Sequence, residues 1–199
     1  EPSDARLRMS YVMQATPVPR VTPITVREVV GLGRLAQLGM FGRFRAADRE
    51  AVAMAMDRME ITGLAGRHMH ELSGGQRQRV LIAQGIVQDH DLLVLDEPLT
   101  GLDLKSAATI DDLIHEQRAD GYTVILTTHD LDEARAADWV VLVSGRVVAS
   151  GPPAAVCTRH NLEVAYGLGS MHEWEGFPDD PPHATHPHRF GNRRPQAPK

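Results

Sequence analysis

The sequence is short of lysine, cysteine, basic charge and long apolar runs, and each shortage closes off a class of function. Only Lys105 and Lys199 are lysines, and neither follows a glycine, so no GxxxxGK[ST] phosphate-cradling loop is present. Cys157 stands alone, which excludes an internal disulfide and suits a reducing compartment. No stretch of 18 apolar residues occurs; the longest, Leu92–Leu95 and Trp139–Val143, have the length of buried strands, so the sequence holds no membrane span. Association with a membrane through a partner stays open. The net charge is -5 at pH 7, with no clustered basic excess, and this argues against a nucleic-acid surface. The chain opens on Glu1 without a charged-then-apolar leader, so we expect an incomplete N-terminus rather than a secretory start.

What is present divides into a helical part and a strand-rich part. Arg8–Met13 reads as a short strand ending at Gln14. Three prolines in Ala15–Pro23 exclude a regular helix or central strand there. Thr25 and Glu28 have capping-box spacing, which predicts a helix to about Gly33. Ala46–Met59 has the period of an amphipathic helix with Val52, Met56 and Met59 on one side, and Thr25–Gln88 as a whole reads as mainly helical. After Asp89 the strand-like runs Leu92–Leu95, Thr123–Thr127 and Trp139–Val143 alternate with helical stretches at Ser106–Arg118 and Leu131–Ala136. That alternation predicts a parallel sheet covered by crossovers, with Val147–Ala149 as a hairpin strand at its edge. Met171–Lys199 holds six prolines and four histidines and is expected to be a disordered tail.

Three local patterns carry chemistry. Leu72-Ser73-Gly74-Gly75-Gln76 precedes an apolar-periodic helix, and Ser73 and Gln76 have capping-box spacing. Glycines at a helix N-terminus let an anion approach free N–H groups and the positive end of the helix dipole. Leu92–Leu95 runs straight into Asp96-Glu97-Pro98, placing two carboxylates at the C-terminal end of a strand, where open α/β sheets bind ligands. Asp96 there suits a magnesium ion, and Glu97 suits a base or polariser of an attacking water. Thr127-Thr128-His129-Asp130 closes the next strand, so His129 should emerge at the same end of the sheet and could contact a terminal phosphate.

With Thr100-Gly101-Leu102-Asp103 between them, these patterns in this order resemble the ABC ATPase family, over approximately Tyr11–Gly167. The resemblance implies an α/β fold: a RecA-like P-loop NTPase core with a parallel sheet plus an α-helical subdomain, its N-terminal strands missing. It divides the chain into residues 1–14 (remnant core up to the Q-loop), 15–88 (helical subdomain with the signature), 89–168 (catalytic core) and 169–199 (tail). On it Gln14 matches the Q-loop glutamine and Ser73, Gly74, Gly75 and Gln76 the signature. Asp96 matches the Walker B aspartate, Glu97 the catalytic glutamate, Asp103 the D-loop aspartate and His129 the switch histidine. The implied cofactors are ATP and Mg2+, the ion held by Asp96 and Gln14.

The absent phosphate loop lies N-terminal to the Q-loop in that family. The simplest expectation is a chain lacking its first β-rich portion, from a parent that hydrolyses ATP, with the isolated piece inactive and its early sheet edge exposed. Pro23 to Val30 and Gly33-Arg34 are similar to the family branch that powers import of manganese, zinc or iron(II). This implies a homodimeric second ATPase subunit, an integral membrane permease, an extracytoplasmic metal-binding protein reached through it, and a peripheral place on the cytoplasmic face. His183, His186 and His188 in the tail could bind a transition metal, although a solvated tail is the plainer reading. The alternative function is a catalytically silent or non-transport interaction module.

Overall fold

The computed structural model describes residues 8–15, 19, 23–38 and 42–167. The tail, with its three candidate metal-binding histidines, lies outside the described residues. The chain divides into two compact units, residues 1–129 and 130–199.

The first unit is a helical layer on one face of a parallel sheet. Strand β1 (Met9–Val12) pairs with β2 (Leu92–Asp96), and β2 with β3 (Thr123–Thr127), all parallel, in the order β1-β2-β3. Helices α1 (Val26–Leu32), α2 (Leu35–Leu38), α3 (Ala46–Arg58) and α4 (Gly74–Ile86) lie between β1 and β2 in sequence, and α5 (Leu104–Ala119) joins β2 to β3. Short 3-10 turns at Thr62–Leu64 and Met69–Glu71 complete the path from α3 to α4.

The starts of these helices follow from their sequences. Thr25 and Glu28 form a full capping box on α1, as the spacing predicts, and Ser73 and Gln76 form another on α4. The period-3.6 apolar positions of α3 are buried: Val52, Ala55 and Met56, with Met59 just beyond at 0% exposure. Helix α4 seals the sheet from one side. A Cβ on its Gly85 would lie 2.5 Å from Val12 and 3.0 Å from the Ser10 hydroxyl, and that hydroxyl donates to the Gly85 carbonyl (3.0 Å). Only a glycine lets helix and strand approach this closely.

The other sheet face is open. Tyr11, Val94 and Ile125 are cross-strand neighbours in register, and Tyr11 and Ile125 are exposed. Among the described residues β3 pairs with β2 alone, leaving its outer edge unpaired.

The second unit holds α6 (Leu131–Ala136), β4 (Val140–Val143), β5 (Val147–Gly151), α7 (Pro153–Val156) and α8 (Arg159–Tyr166). Here the sequence reading needs correction. Val140–Val143 is a strand and pairs antiparallel with β5, the expected hairpin, but among the described residues the two form a separate two-stranded sheet and β4 is not a third crossover strand of the parallel one. A β-branched run reveals a strand and says nothing of its neighbour; a tight turn at Gly145, whose φ is +66°, makes the local partner the accessible one. Helices α7 and α8 carry no strong signal in the sequence beyond proline at the α7 start and a Thr158 cap. No helix among the described residues is long and apolar enough to cross a membrane.

Candidate functional site

The C-terminal ends of the three parallel strands bring four of the expected residues together. β2 ends in Asp96, and the chain then turns sharply at Glu97, whose φ of +44° lies in the left-handed region that few residues with a Cβ adopt. This turn directs the Glu97 carboxylate toward the exits of β1 and β3. Gln14, just after β1, donates from Nε2 to Glu97 Oε2 at 3.4 Å. His129, just after β3, places Nδ1 at 3.6 Å from Glu97 Oε1, an electrostatic approach too long for a hydrogen bond. One carboxylate is thus met on each oxygen by a side chain from a neighbouring strand.

Asp96 is held more tightly. Thr127 donates its hydroxyl to Asp96 Oδ1 at 2.6 Å, and Tyr11 reaches Oδ2 with a long contact of 3.4 Å. Oδ2 is therefore the oxygen with capacity to spare. Sequence reasoning missed both Thr127 and Tyr11. The register that sets Thr127 opposite Asp96 is a property of the sheet, although Thr127 stands two places before His129 in plain view.

The remaining expected residues form a second group. Ser73 accepts from the Gln76 N–H (3.2 Å) while the Gln76 side chain accepts from the Ser73 N–H (3.1 Å). The two glycines of the signature differ in role. Around Gly74 a Cβ would meet nothing within 4 Å, so the backbone is open to an incoming anion. Gly75 is buried, and a Cβ there would lie 2.5 Å from the Ser106 hydroxyl and 2.8 Å from the Asp103 carboxylate. Its smallness serves packing against the start of α5. Asp103 itself is the N-cap of α5, accepting from the Ser106 N–H (2.9 Å) and hydroxyl (2.8 Å), which together hold its carboxyl below the usual range.

A hydrogen bond from the Ala15 N–H to Gln78 Oε1 (2.8 Å) joins the residue after Gln14 to the second turn of the signature helix. The two groups are physically linked by it.

The Gly33-Arg34 pair also has an internal function. A side chain on Gly33 would run into the Gln84 backbone and Val87. Arg34 donates to the Val87 carbonyl (3.0 Å) and pairs with buried Asp48 at 3.1 Å. Asp48 also accepts the Arg45 N–H, the main cause of its lowered pKa.

These features have counterparts in known proteins. The family model described as "ABC transporter" matches residues 1–100. The chain belongs to the ABC transporter ATP-binding family. It is 36% identical over 163 residues to the manganese transport system ATP-binding protein MntB of Listeria monocytogenes, covering 81% of this chain and 68% of that protein. It is 40% identical over 151 residues to the ferric enterobactin transport ATP-binding protein FepC of Escherichia coli, covering 74% of this chain and 56% of that one. Among solved structures it superposes on a dimeric ATP-binding cassette in a post-hydrolysis state bound to ADP and Pi, with a TM-score of 0.64 and 25% identity, over 76% of this chain and 66% of the other. The α/β fold with its parallel sheet is that of ABC ATPase domains. The chain spans between about half and two thirds of the curated relatives it matches.

Proposed function

We propose that this chain supplies the signature helix, the metal-binding aspartate and the catalytic glutamate of an ATP-hydrolysing subunit that powers import of a metal ion or metal chelate. The observation that carries the reading is the convergence of Gln14 and His129 on the two oxygens of Glu97, at the ligand-binding end of a parallel sheet. In this role Glu97 polarises the attacking water, Gln14 orients it, and His129 contacts the terminal phosphate.

The donors present fit a hard cation that keeps most of its waters. Among the described residues no cluster of three or more histidine, cysteine or carboxylate side chains could form a full cage. Asp96 Oδ2 and the Gln14 side-chain oxygen would hold Mg2+ together with substrate phosphates, and the ion would neutralise charge on those phosphates. Ser73, Gly74 and Gln76, at the open start of α4, would receive the phosphates of a nucleotide held by a second copy; Gly75 and Asp103 would keep that helix against the start of α5. The cradle for this chain's own nucleotide is a GxxxxGK[ST] loop that its sequence does not contain, and in this reading it lies in a portion of the protein outside the chain.

Within the helical subdomain 15–88, the segment between Gln14 and the signature is the part read as facing the permease, and residues 89–168 complete the core. The names of the relatives, manganese and chelated iron transport systems, support such a metal as cargo; in this reading a permease and an extracytoplasmic binding protein are the partners and the cytoplasmic membrane face the place of action. The missing loop favours one second reading, a silent interaction module. Glu97→Gln in the assembled transporter separates the two. It should lower the ATP turnover number by about 100-fold or more while ATP binding persists. Turnover equal to that of the unaltered protein would remove Glu97 from the mechanism, and an unaltered transporter that hydrolyses no ATP would favour the silent module.

A further inference from the structure

Thr127 ends β3 directly opposite Asp96 in the sheet register. Its hydroxyl is used in both directions. It donates to Asp96 Oδ1 at 2.6 Å and accepts the Glu97 N–H at 3.0 Å, while the Thr127 carbonyl accepts that same N–H at 3.2 Å. A 2.6 Å O–H···O⁻ contact is in the range of short charge-assisted bonds. The Glu97 N–H belongs to the residue at φ +44°, a backbone state that persists only where the surroundings hold it. Strand formation does not require the hydroxyl, since valine has the same branched shape and a strand preference as strong. The threonine oxygen therefore has a job that the fold alone does not give it.

We propose that Thr127 is a positioning residue for both carboxylates at once. By occupying Asp96 Oδ1 it leaves Oδ2, which among the described residues meets only the long Tyr11 contact, as the oxygen that would hold a metal ion. By holding the Glu97 N–H it keeps the turn that points the Glu97 side chain between Gln14 and His129. The inference rests on the reading of Asp96 and Glu97 as a hydrolytic pair.

The test compares Thr127→Val, which removes the hydroxyl at nearly constant shape, with Thr127→Ser, which keeps it. In the assembled transporter, Thr127→Val should require about tenfold more Mg2+ for half-maximal ATP hydrolysis, the scale seen when a metal ligand loses its supporting hydrogen bond. The turnover number should fall with it and KM for ATP should move less. Thr127→Ser should restore both. In the nucleotide-free chain, amide exchange at Glu97 should be severalfold faster in Thr127→Val and near the original rate in Thr127→Ser. Unchanged Mg2+ dependence in Thr127→Val would overturn the proposal even if exchange quickened, because the hydroxyl would then be a purely structural bond. If the unaltered transporter hydrolyses no ATP, the hydrolytic reading fails by itself. Mn2+ affinity in the presence of ATP, read by electron paramagnetic resonance, then decides Thr127: a tenfold loss in the valine variant supports it, and no loss overturns it.

Discussion

Val26, Val30, Met59, Ile61, Val80 and Ile82 are sealed at 0% exposure, whereas Met9, Tyr11 and Ile125, on strands of the same compact unit, are 43, 54 and 49% exposed. The helical layer has closed its interior: α1, α3 and α4 pack on one another, Gly33 lies against the Gln84 backbone, and Gly75 and Gly85 make room for neighbouring side chains. The sheet has closed one face only. Parallel sheets are ordinarily covered on both faces. The contrast teaches that the helices presenting the signature bury their apolar side, partly against the sheet, while the strands presenting Asp96 and Glu97 keep a second face whose apolar cover the described residues do not provide.

Paired truncations would break or sharpen that contrast. Ile82→Ala, in the closed layer, should cost about 3 kcal/mol in urea unfolding, the range for deleting a buried aliphatic side chain. Ile125→Ala, on the open face, should cost less than about 1 kcal/mol, since little apolar area leaves water there. Equal losses at the two sites would erase the distinction. Gly33→Ala tests closure at the backbone level. The added methyl meets a main-chain carbonyl that cannot swing aside, so we expect a loss of about 2 kcal/mol, read as a lower urea midpoint. Thr25→Ala, removing the α1 cap, should cost about 1 kcal/mol.

The smallest effect per group is the pH dependence of the helical layer. Glu28, Asp48 and Glu71 each accept a backbone N–H three residues earlier in the chain, from Thr25, Arg45 and His68, and each is held below its ordinary pKa chiefly by that bond. A carboxyl depressed in the folded state adds stability that is complete above the unfolded value, about 4, and disappears as pH falls through the lower folded value. The urea midpoint should therefore be flat near neutrality and drop below about pH 4. Glu28→Gln should flatten part of that drop; a midpoint that rises on acidification would contradict the sign.

Much of the candidate site was legible because its signals are local. Ser73 with Gln76, Thr25 with Glu28, and Asp96-Glu97 at the end of an apolar run each announce themselves within five residues. The invisible features are those that need a register or a crossing. Thr127 faces Asp96 across 31 positions of sequence, and Gly75 faces Ser106 across a similar distance. Arg79, in the second turn of α4, is buried and donates to the Met59 carbonyl at 3.1 Å, a partner that local sequence does not reveal. Lys105 pairs with Glu60 at 2.7 Å, the main reason the Glu60 carboxyl is lowered. The β4–β5 hairpin was legible from its turn, but not that the hairpin forms a sheet of its own: alternation fixes which residues face inward, not which strand lies alongside.

The buried contact between Gly75 and the Asp103–Ser106 cap has a mechanical side. The start of α4 meets the start of α5 through the Ser106 and Asp103 side chains, Gly75 contributing none of its own, and the Asp103 carboxylate that caps α5 lies within reach of any group added to Gly75. Two helix ends seated this closely behave like a bearing. A bulkier residue at position 75 would have to displace the α5 cap, so the spacing of the two helix starts is set by the absence of one side chain.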